Sequence, residues 1–192
     1  MVTQSEKKQV LFIHGGGNDG YAADAKLVAS LQEALGATYN VHYPQMPKEE
    51  TPDFGWLRQI GEGISAINGE VILVGHSLGA SMLLKYLSEH KVDTPIAGLF
   101  LISTPFWSGD EEWKQGLMLR ENFAETLPAN IPIYLYHSRD DEEAPVAHLR
   151  LYAEKLPSAN ICEVASGGHQ FGNDLKQVAV DMKNLKDDVF KC

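Results

Sequence analysis

VILVGHSLGASMLLKYL, residues 71–87, joins an apolar run, a Gly-x-Ser-x-Gly turn and a second apolar run. Val71 to Val74 show no polar alternation, which is the mark of a strand buried on both faces. From Ala80 onward the residues suit a helix. A chain that passes so abruptly from strand to helix leaves no room for side chains two before and two after the serine, so glycine is wanted at 75 and 79. The serine between them is held in a strained backbone conformation, and its hydroxyl stands at a helix N-terminus, where the helix dipole favours developing negative charge. A plain Gly-Ser turn is the other reading, but the strand-turn-helix setting is the one a nucleophile at Ser77 requires.

Working outward, residues 10–14, 41–43, 96–102, 131–137 and 161–165 are further short β-branched or aromatic runs bounded by turn residues, and with 71–74 they predict six strands. Apolar stripes at helical spacing lie between and after them: Leu27, Val28, Leu31 and Leu35; Val146, Leu149, Ala153 and Leu156; Leu175, Val178, Met182, Leu185 and Val189. Strand and helix alternating to the end predicts an α/β fold, a mostly parallel sheet with helices on both faces. In such sheets ligands bind outside the carboxyl ends of the strands. The search for chemistry narrows to the loops that follow strands.

The 71–87 stretch resembles the nucleophile elbow of α/β-hydrolases, and the resemblance covers nearly the whole chain apart from the N-terminal β-hairpin of larger members. It implies the chain order serine, acid, histidine. Of His90, His137, His148 and His169, only His169, in ASGGHQFG after the last strand, falls where the family places its base. His90 is expected at a helix end, His148 inside a helix and His137 at the end of a strand. The loop HSRDDEEAP, 137–145, resembles the family's G-x-x-D-x-x-V-P pattern with Ser138 in the glycine place and Asp141 as the acid. Asp140 is the adjacent candidate, while Glu142 and Glu143 read as solvated charge at a helix start.

LFIHGGGNDG, 11–20, fits two chemistries. Gly15, Gly17 and Gly20 match the dinucleotide fingerprint G-x-G-x-x-G, and residues 14–17 spell the H-G-G-G of esterase oxyanion holes. A dinucleotide site also needs an acidic residue ending the second strand, and VHYPQM has none. The loop is therefore expected to supply one amide of an oxyanion hole, from Gly16 or Gly17, with Leu78 supplying the other.

Residues 104–130 are longer than a crossover needs, with Trp113, Leu117, Ala124 and Leu127 at helical spacing. This is where α/β-hydrolases insert a lid, so His76, Trp107, Trp113 and Met118 are expected to line a substrate pocket. The core side of a crossover helix is the competing reading. A chain of 192 residues has no room for a large cap, and among lid-poor members it looks most like the retinoblastoma-binding-protein-nine-like serine hydrolases.

Length and composition, with 44% hydrophobic and 22% charged residues, suit one domain spanning 1–192. A formal charge of −10 without a Lys/Arg cluster argues against nucleic acid or anionic membrane as partner. Cys162 and Cys192 make no disulfide framework or metal signature, and the polar N-terminus makes no signal peptide, so a cytoplasmic location is expected. The reading that results is a serine hydrolase of small esters or thioesters, acting through an acyl-enzyme on Ser77 with no metal or organic cofactor. Acyl transfer, amide cleavage, perhydrolysis or a non-enzymatic interaction role are alternatives on the same fold, and a dinucleotide-binding oxidoreductase is the remote one.

Overall fold

The strands Lys8–Ile13 (β1), Tyr39–His42 (β2), Val71–His76 (β3), Ile96–Ile102 (β4), Ile133–Ser138 (β5) and Asn160–Val164 (β6) form one sheet in the order β2-β1-β3-β4-β5-β6. Every neighbouring pair is parallel. The computed structural model describes residues 7–107 and 111–185; Val189 and Cys192 lie outside them. All six strands fall within two residues of their expected ends. The third runs furthest past expectation because Gly75 and His76 still pair with Leu101 and Ile102, so the elbow begins as strand.

Successive residues of a strand face opposite ways, and the core divides accordingly. Val10, Phe12, Ile72 and Val74 pack with Leu27, Leu31 and Leu35 of Gly20–Leu35 (α1) and with Val178 and Met182 of the C-terminal helix Lys176–Lys183. Leu11, Ile13 and Leu73 pack on the other face against Trp56–Ser65 (α2), Leu78–Glu89 (α3) and Ala147–Lys155. Counting the short Phe123–Thr126 (α4), the last two helices among the described residues are α5 at 147–155 and α6 at 176–183.

Two elements depart from the pattern read in the sequence. Helix α2 lies outside the three stripes, although Trp56, Ile60 and Ile64 recur at helical spacing and form its buried face; its two glycines interrupt the pattern. Those glycines serve packing: a Cβ at Gly61 would stand 2.6 Å from the Tyr86 hydroxyl of α3. Residues 111–130 are not one helix but a 3₁₀ turn at Glu112–Lys114 and the single turn of α4. The stripe expected there is broken up, with Trp113 52% exposed and Leu117 1%. Contact with the 44–55 loop replaces helix, since Gly116 sits so close to the Pro52 carbonyl that a Cβ would fall 2.0 Å from its oxygen. The Lys85 ammonium donates to the Met118 carbonyl at 2.8 Å and ties the segment to α3.

From β1 the chain moves outward to β2, then returns to β3 on the other side of β1, so the loops after β1 and β3 part over a crevice. Gly15 to Gly17 and Ser77 flank it.

Candidate active site

Ser77 has φ 51° and ψ −121°, a conformation costly for a residue with a side chain. It is held there from both sides. Its amide donates to the Ile102 carbonyl at 2.8 Å, and its own carbonyl accepts from Ala80 at 3.0 Å. A Cβ on Gly75 would meet Ala80 Cα at 2.5 Å, and one on Gly79 would meet the carbonyl oxygens of Ile13 and His14 at 2.3 and 2.4 Å. Both elbow glycines thus answer to backbone that cannot step aside. Gly79→Ala is expected to cost about 1–3 kcal/mol of stability as an overpacking change, seen as a lower urea midpoint at unchanged slope.

The base and acid expected from the sequence meet. His169 Nδ1 donates to Asp141 Oδ1 and Oδ2 at 3.0 and 2.9 Å. Because a carboxylate only accepts, this fixes the proton on Nδ1 and leaves Nε2 as the lone-pair nitrogen. Asp141 Oδ1 also accepts from the amides of Glu143 and Ala144 at 2.9 and 2.8 Å. Burial works against its charge, yet the His169 hydrogen bond and those amides outweigh burial and hold the carboxyl below its ordinary range. Burial likewise opposes an imidazolium at His169, and Asp141, Glu143 and Asp24 together outweigh it and raise the pKa above 6.5.

Asp140 does not touch His169. Its Oδ1 accepts from the Ser138 hydroxyl and, at 2.9 Å, from the Gly168 amide, while Oδ2 accepts from Gly167 at 3.3 Å. It caps the loop that carries the histidine. His137 Nε2 donates to the Ala144 carbonyl at 2.7 Å, His148 Nδ1 accepts from the Phe106 amide at 3.1 Å, and His90 Nδ1 reaches the Tyr86 carbonyl at 3.2 Å at the end of α3.

In the glycine loop, Gly16 lies against Leu78, where a Cβ would stand 2.9 Å from Leu78 Cδ2. Gly17 has φ 85°, left-handed backbone with open space beside it. The first amides of α3, beginning at Leu78, have no carbonyl of a preceding turn to donate to. His14 donates through Nδ1 to the Gly15 carbonyl at 2.6 Å and accepts at Nε2 from the Met46 amide at 2.9 Å. That pairing needs the neutral ring, and burial pushes its pKa down. Gly20 is required by packing, since a Cβ there would lie 2.2 Å from the Gly15 carbonyl oxygen. The Gly15 amide is already taken, at 2.7 Å, by the buried Asp24 carboxylate. A phosphate approaching this loop would meet that negative charge, so the glycine spacing reflects close packing of α1 on the loop.

Ser77 and His169 open onto one cavity of about 630 Å³, whose apolar wall is Phe54, Leu78, Trp107, Trp113 and Leu117. Trp107 is fixed by its indole donating to Ser81 Oγ at 3.0 Å and by an edge contact with Trp113 at 5.8 Å. The expected Met118 is absent from the lining, and its neighbour Leu117 faces the cavity instead, with Met118 tied to α3 through its carbonyl. His76 borders the cavity but is only 1% exposed, its ring committed to buried partners. Phe54 and Glu143 escaped the sequence reading. Phe54 sits in a loop without periodicity, and Glu143 is 74% exposed, as a solvated residue should be, yet its carboxylate lies 3.6 Å from His169 Nε2. Among the described residues no helix is long and apolar enough to cross a membrane, and no group of His, Cys, Asp and Glu is placed to hold a metal ion.

The chain is 33% identical over 103 residues to the pyrethroid hydrolase of Sphingobium wenxiniae, a match covering 49% of this chain and 35% of the relative. It thus spans about a third of that protein's length. Among solved structures it superposes on Est1E from Butyrivibrio proteoclasticus with a TM-score of 0.73 at 16% identity, covering 94% of this chain and 87% of that one. A protein of Xanthomonas campestris assigned to the α/β-hydrolase superfamily gives 0.62 at 24% identity, covering 91% and 95%. These likenesses show the fold. The family model for serine hydrolases matches residues 11–174, and the chain therefore belongs to the serine hydrolase family, an enzyme built on the α/β-hydrolase fold.

Proposed function

We propose that the enzyme cleaves small uncharged esters or thioesters through an acyl-enzyme on Ser77. The observation that carries this is the His169 ring, locked by Asp141 with its proton on Nδ1, on the same cavity wall as a strained serine. Nε2 takes the Ser77 proton as Oγ attacks the carbonyl carbon. The tetrahedral oxygen is received by the amides of Leu78 and of Gly16 or Gly17, each worth about 3 kcal/mol to the transition state. Nε2 then protonates the leaving group, and water resolves the acyl-enzyme by the same route. The apolar wall of Phe54, Trp107, Trp113 and Leu117 suits an acyl chain, with Trp113 and Leu117 contributed by the segment 111–130. A relative whose name is pyrethroid hydrolase agrees with a hydrolytic role.

A fluorophosphonate probe followed by peptide mass spectrometry tests the reading. The expected result is a single adduct on Ser77 and turnover of p-nitrophenyl esters that varies with acyl length. Wild-type enzyme that takes no label overturns it.

The charge at Glu143 makes a second test. His169 must be neutral to act as base, so kcat/KM should fall as pH drops through its raised pKa, with a midpoint above 6.5. Glu143→Gln removes a carboxylate that favours the imidazolium, so the acid limb should move to lower pH. Because that carboxylate is mostly exposed, the displacement should shrink with added salt.

A further inference from the structure

A second Asp–His pair lies behind the first. Ile72 and Val74 of β3 face the α1 side of the sheet, and His76, two residues further on, points the same way. There it meets Asp24, which stands one turn before Leu27 on the buried face of α1. Asp24 and His76 are 0% and 1% exposed. Charged or polar groups so buried persist only when their hydrogen bonds are complete.

The bonds reach the loops that carry the site. Asp24 Oδ2 accepts from the Gly15 amide at 2.7 Å and from His76 Nδ1 at 2.8 Å, and Oδ1 accepts from the Gln170 side chain at 3.2 Å. His76 Nε2 lies 2.9 Å from the backbone carbonyl of His169, which also accepts from Ser103 Oγ at 2.9 Å. One carboxylate and one imidazole therefore tie together the residue before Gly16, the residue before Ser77, and His169 with its neighbour. The two histidine rings are 4.9 Å apart.

Both partners of His76 are acceptors. A carbonyl oxygen cannot donate, and the Asp24 oxygens are already the targets of two other N–H donors. Both contacts are satisfied together only when both ring nitrogens carry protons. We propose that Asp24 and His76 form a buried ion pair that positions the His169 loop and the oxyanion loop around Ser77. Neither residue enters the chemistry; they are positioning residues, and their role rests on the assignment of Ser77 and His169 made above. The other titratable groups around them are His14 and Tyr43, which feel the Asp24 charge from the β1 and β2 side, and His169 itself. Burial opposes the charge on Asp24, but the bonds from His76, Gly15 and Gln170 outweigh it and lower its pKa.

Asp24→Asn keeps the shape and removes the charge. Its carbonyl can still accept from Gly15, and its amide can donate to Gln170 Oε1, a buried oxygen with no partner in the wild type. The substitution removes the negative partner that the His76 ring faces, and with it the ion pair that holds the two loops together. With p-nitrophenyl acetate, kcat is expected to fall about 10²-fold, the effect of a misplacement near 1 Å, while KM stays within about threefold and the melting transition is retained. Nitrogen-15 NMR of histidine-labelled wild type, at a neutral to mildly alkaline pH where the enzyme turns over, tests the pair without any variant. Both His76 ring nitrogens should carry protons. An unprotonated His76 nitrogen in the wild type overturns the proposal, as does an Asp24→Asn variant with kcat within about twofold of wild type. Failure of the wild type to label with fluorophosphonate would instead overturn the function, and the NMR result would stand apart from it.

Discussion

Ser77→Ala is expected to lower kcat for p-nitrophenyl esters by about 10⁶-fold and to abolish fluorophosphonate labelling, while the melting transition stays close to that of the wild type. The size follows from the route. Without Oγ no covalent intermediate forms, and His169 Nε2 has no positioned nucleophile to deprotonate. What remains is the contribution of the oxyanion amides and of binding, roughly 10³-fold over water. Stability should be spared because alanine relieves little and removes little: the strained φ of 51° is imposed by the Ile102 and Ala80 backbone bonds, which do not involve the hydroxyl. A Ser77→Ala enzyme that keeps a tenth of wild-type turnover would show that the bond is broken elsewhere.

The elbow was legible because backbone geometry leaves few residue choices. A Cβ at Gly75 or Gly79 would fall under 3 Å from main-chain atoms, so only glycine fits and the pattern announces the turn. The inner strands were legible because residues buried on both faces must be apolar throughout, as in Val71–His76, whereas the more exposed edge strands β2 and β6 were legible as short β-branched or aromatic runs bounded by turn residues. Asp141 and His169 came from the resemblance to α/β-hydrolases, with Asp140 as the adjacent candidate, and the fold brings the His169 ring to Asp141. The glycine loop needed elimination, since its glycines answer to packing: Gly20 makes room for the Gly15 carbonyl, and a Cβ at Gly16 would meet Leu78.

Other parts could not be read, for physical reasons. The cover over the cavity has helical spacing at Trp113 and Leu117, but contact between Gly116 and Pro52, 64 residues earlier, overrides it. A long-range contact leaves no mark in a local period. Asp24 falls at a buried position of an amphipathic helix where an apolar residue is the rule, and its partner is 52 residues away. His76 reads from sequence as a pocket residue beside the nucleophile, and only the fold reveals that its ring turns inward. Glu143 shows the converse case. It is solvated as its position implies, yet the loops after β5 and β6 bring it beside His169 Nε2.

Asp141→Asn should cost about 10⁴-fold in kcat, whereas Asp140→Asn should cost less than about tenfold, although the two residues are adjacent in sequence. The difference follows from which oxygen each would surrender. At position 141 the amides of Glu143 and Ala144 both point at Oδ1, so an asparagine must place its carbonyl there. Its NH₂ then occupies the Oδ2 site, 2.9 Å from His169 Nδ1, and donates where the aspartate accepted. His169 Nδ1 keeps only its 3.0 Å contact with the Oδ1 position, which two amides already share, so the tautomer with the proton on Nε2 is favoured, and a protonated Nε2 cannot receive the Ser77 proton. Raising the pH would not restore it, because the tautomer, rather than the charge, is wrong. At position 140 the carbonyl of an asparagine keeps the bonds from Ser138 and Gly168, and only the 3.3 Å contact with Gly167 is lost, in a side chain open to water. The His169 loop should therefore hold its place. The two variants, assayed side by side with melting transitions as the control for folding, separate the acid that orients the base from the acid that caps its loop. Equal losses at the two positions, or the larger loss at 140, would overturn the assignment of Asp141.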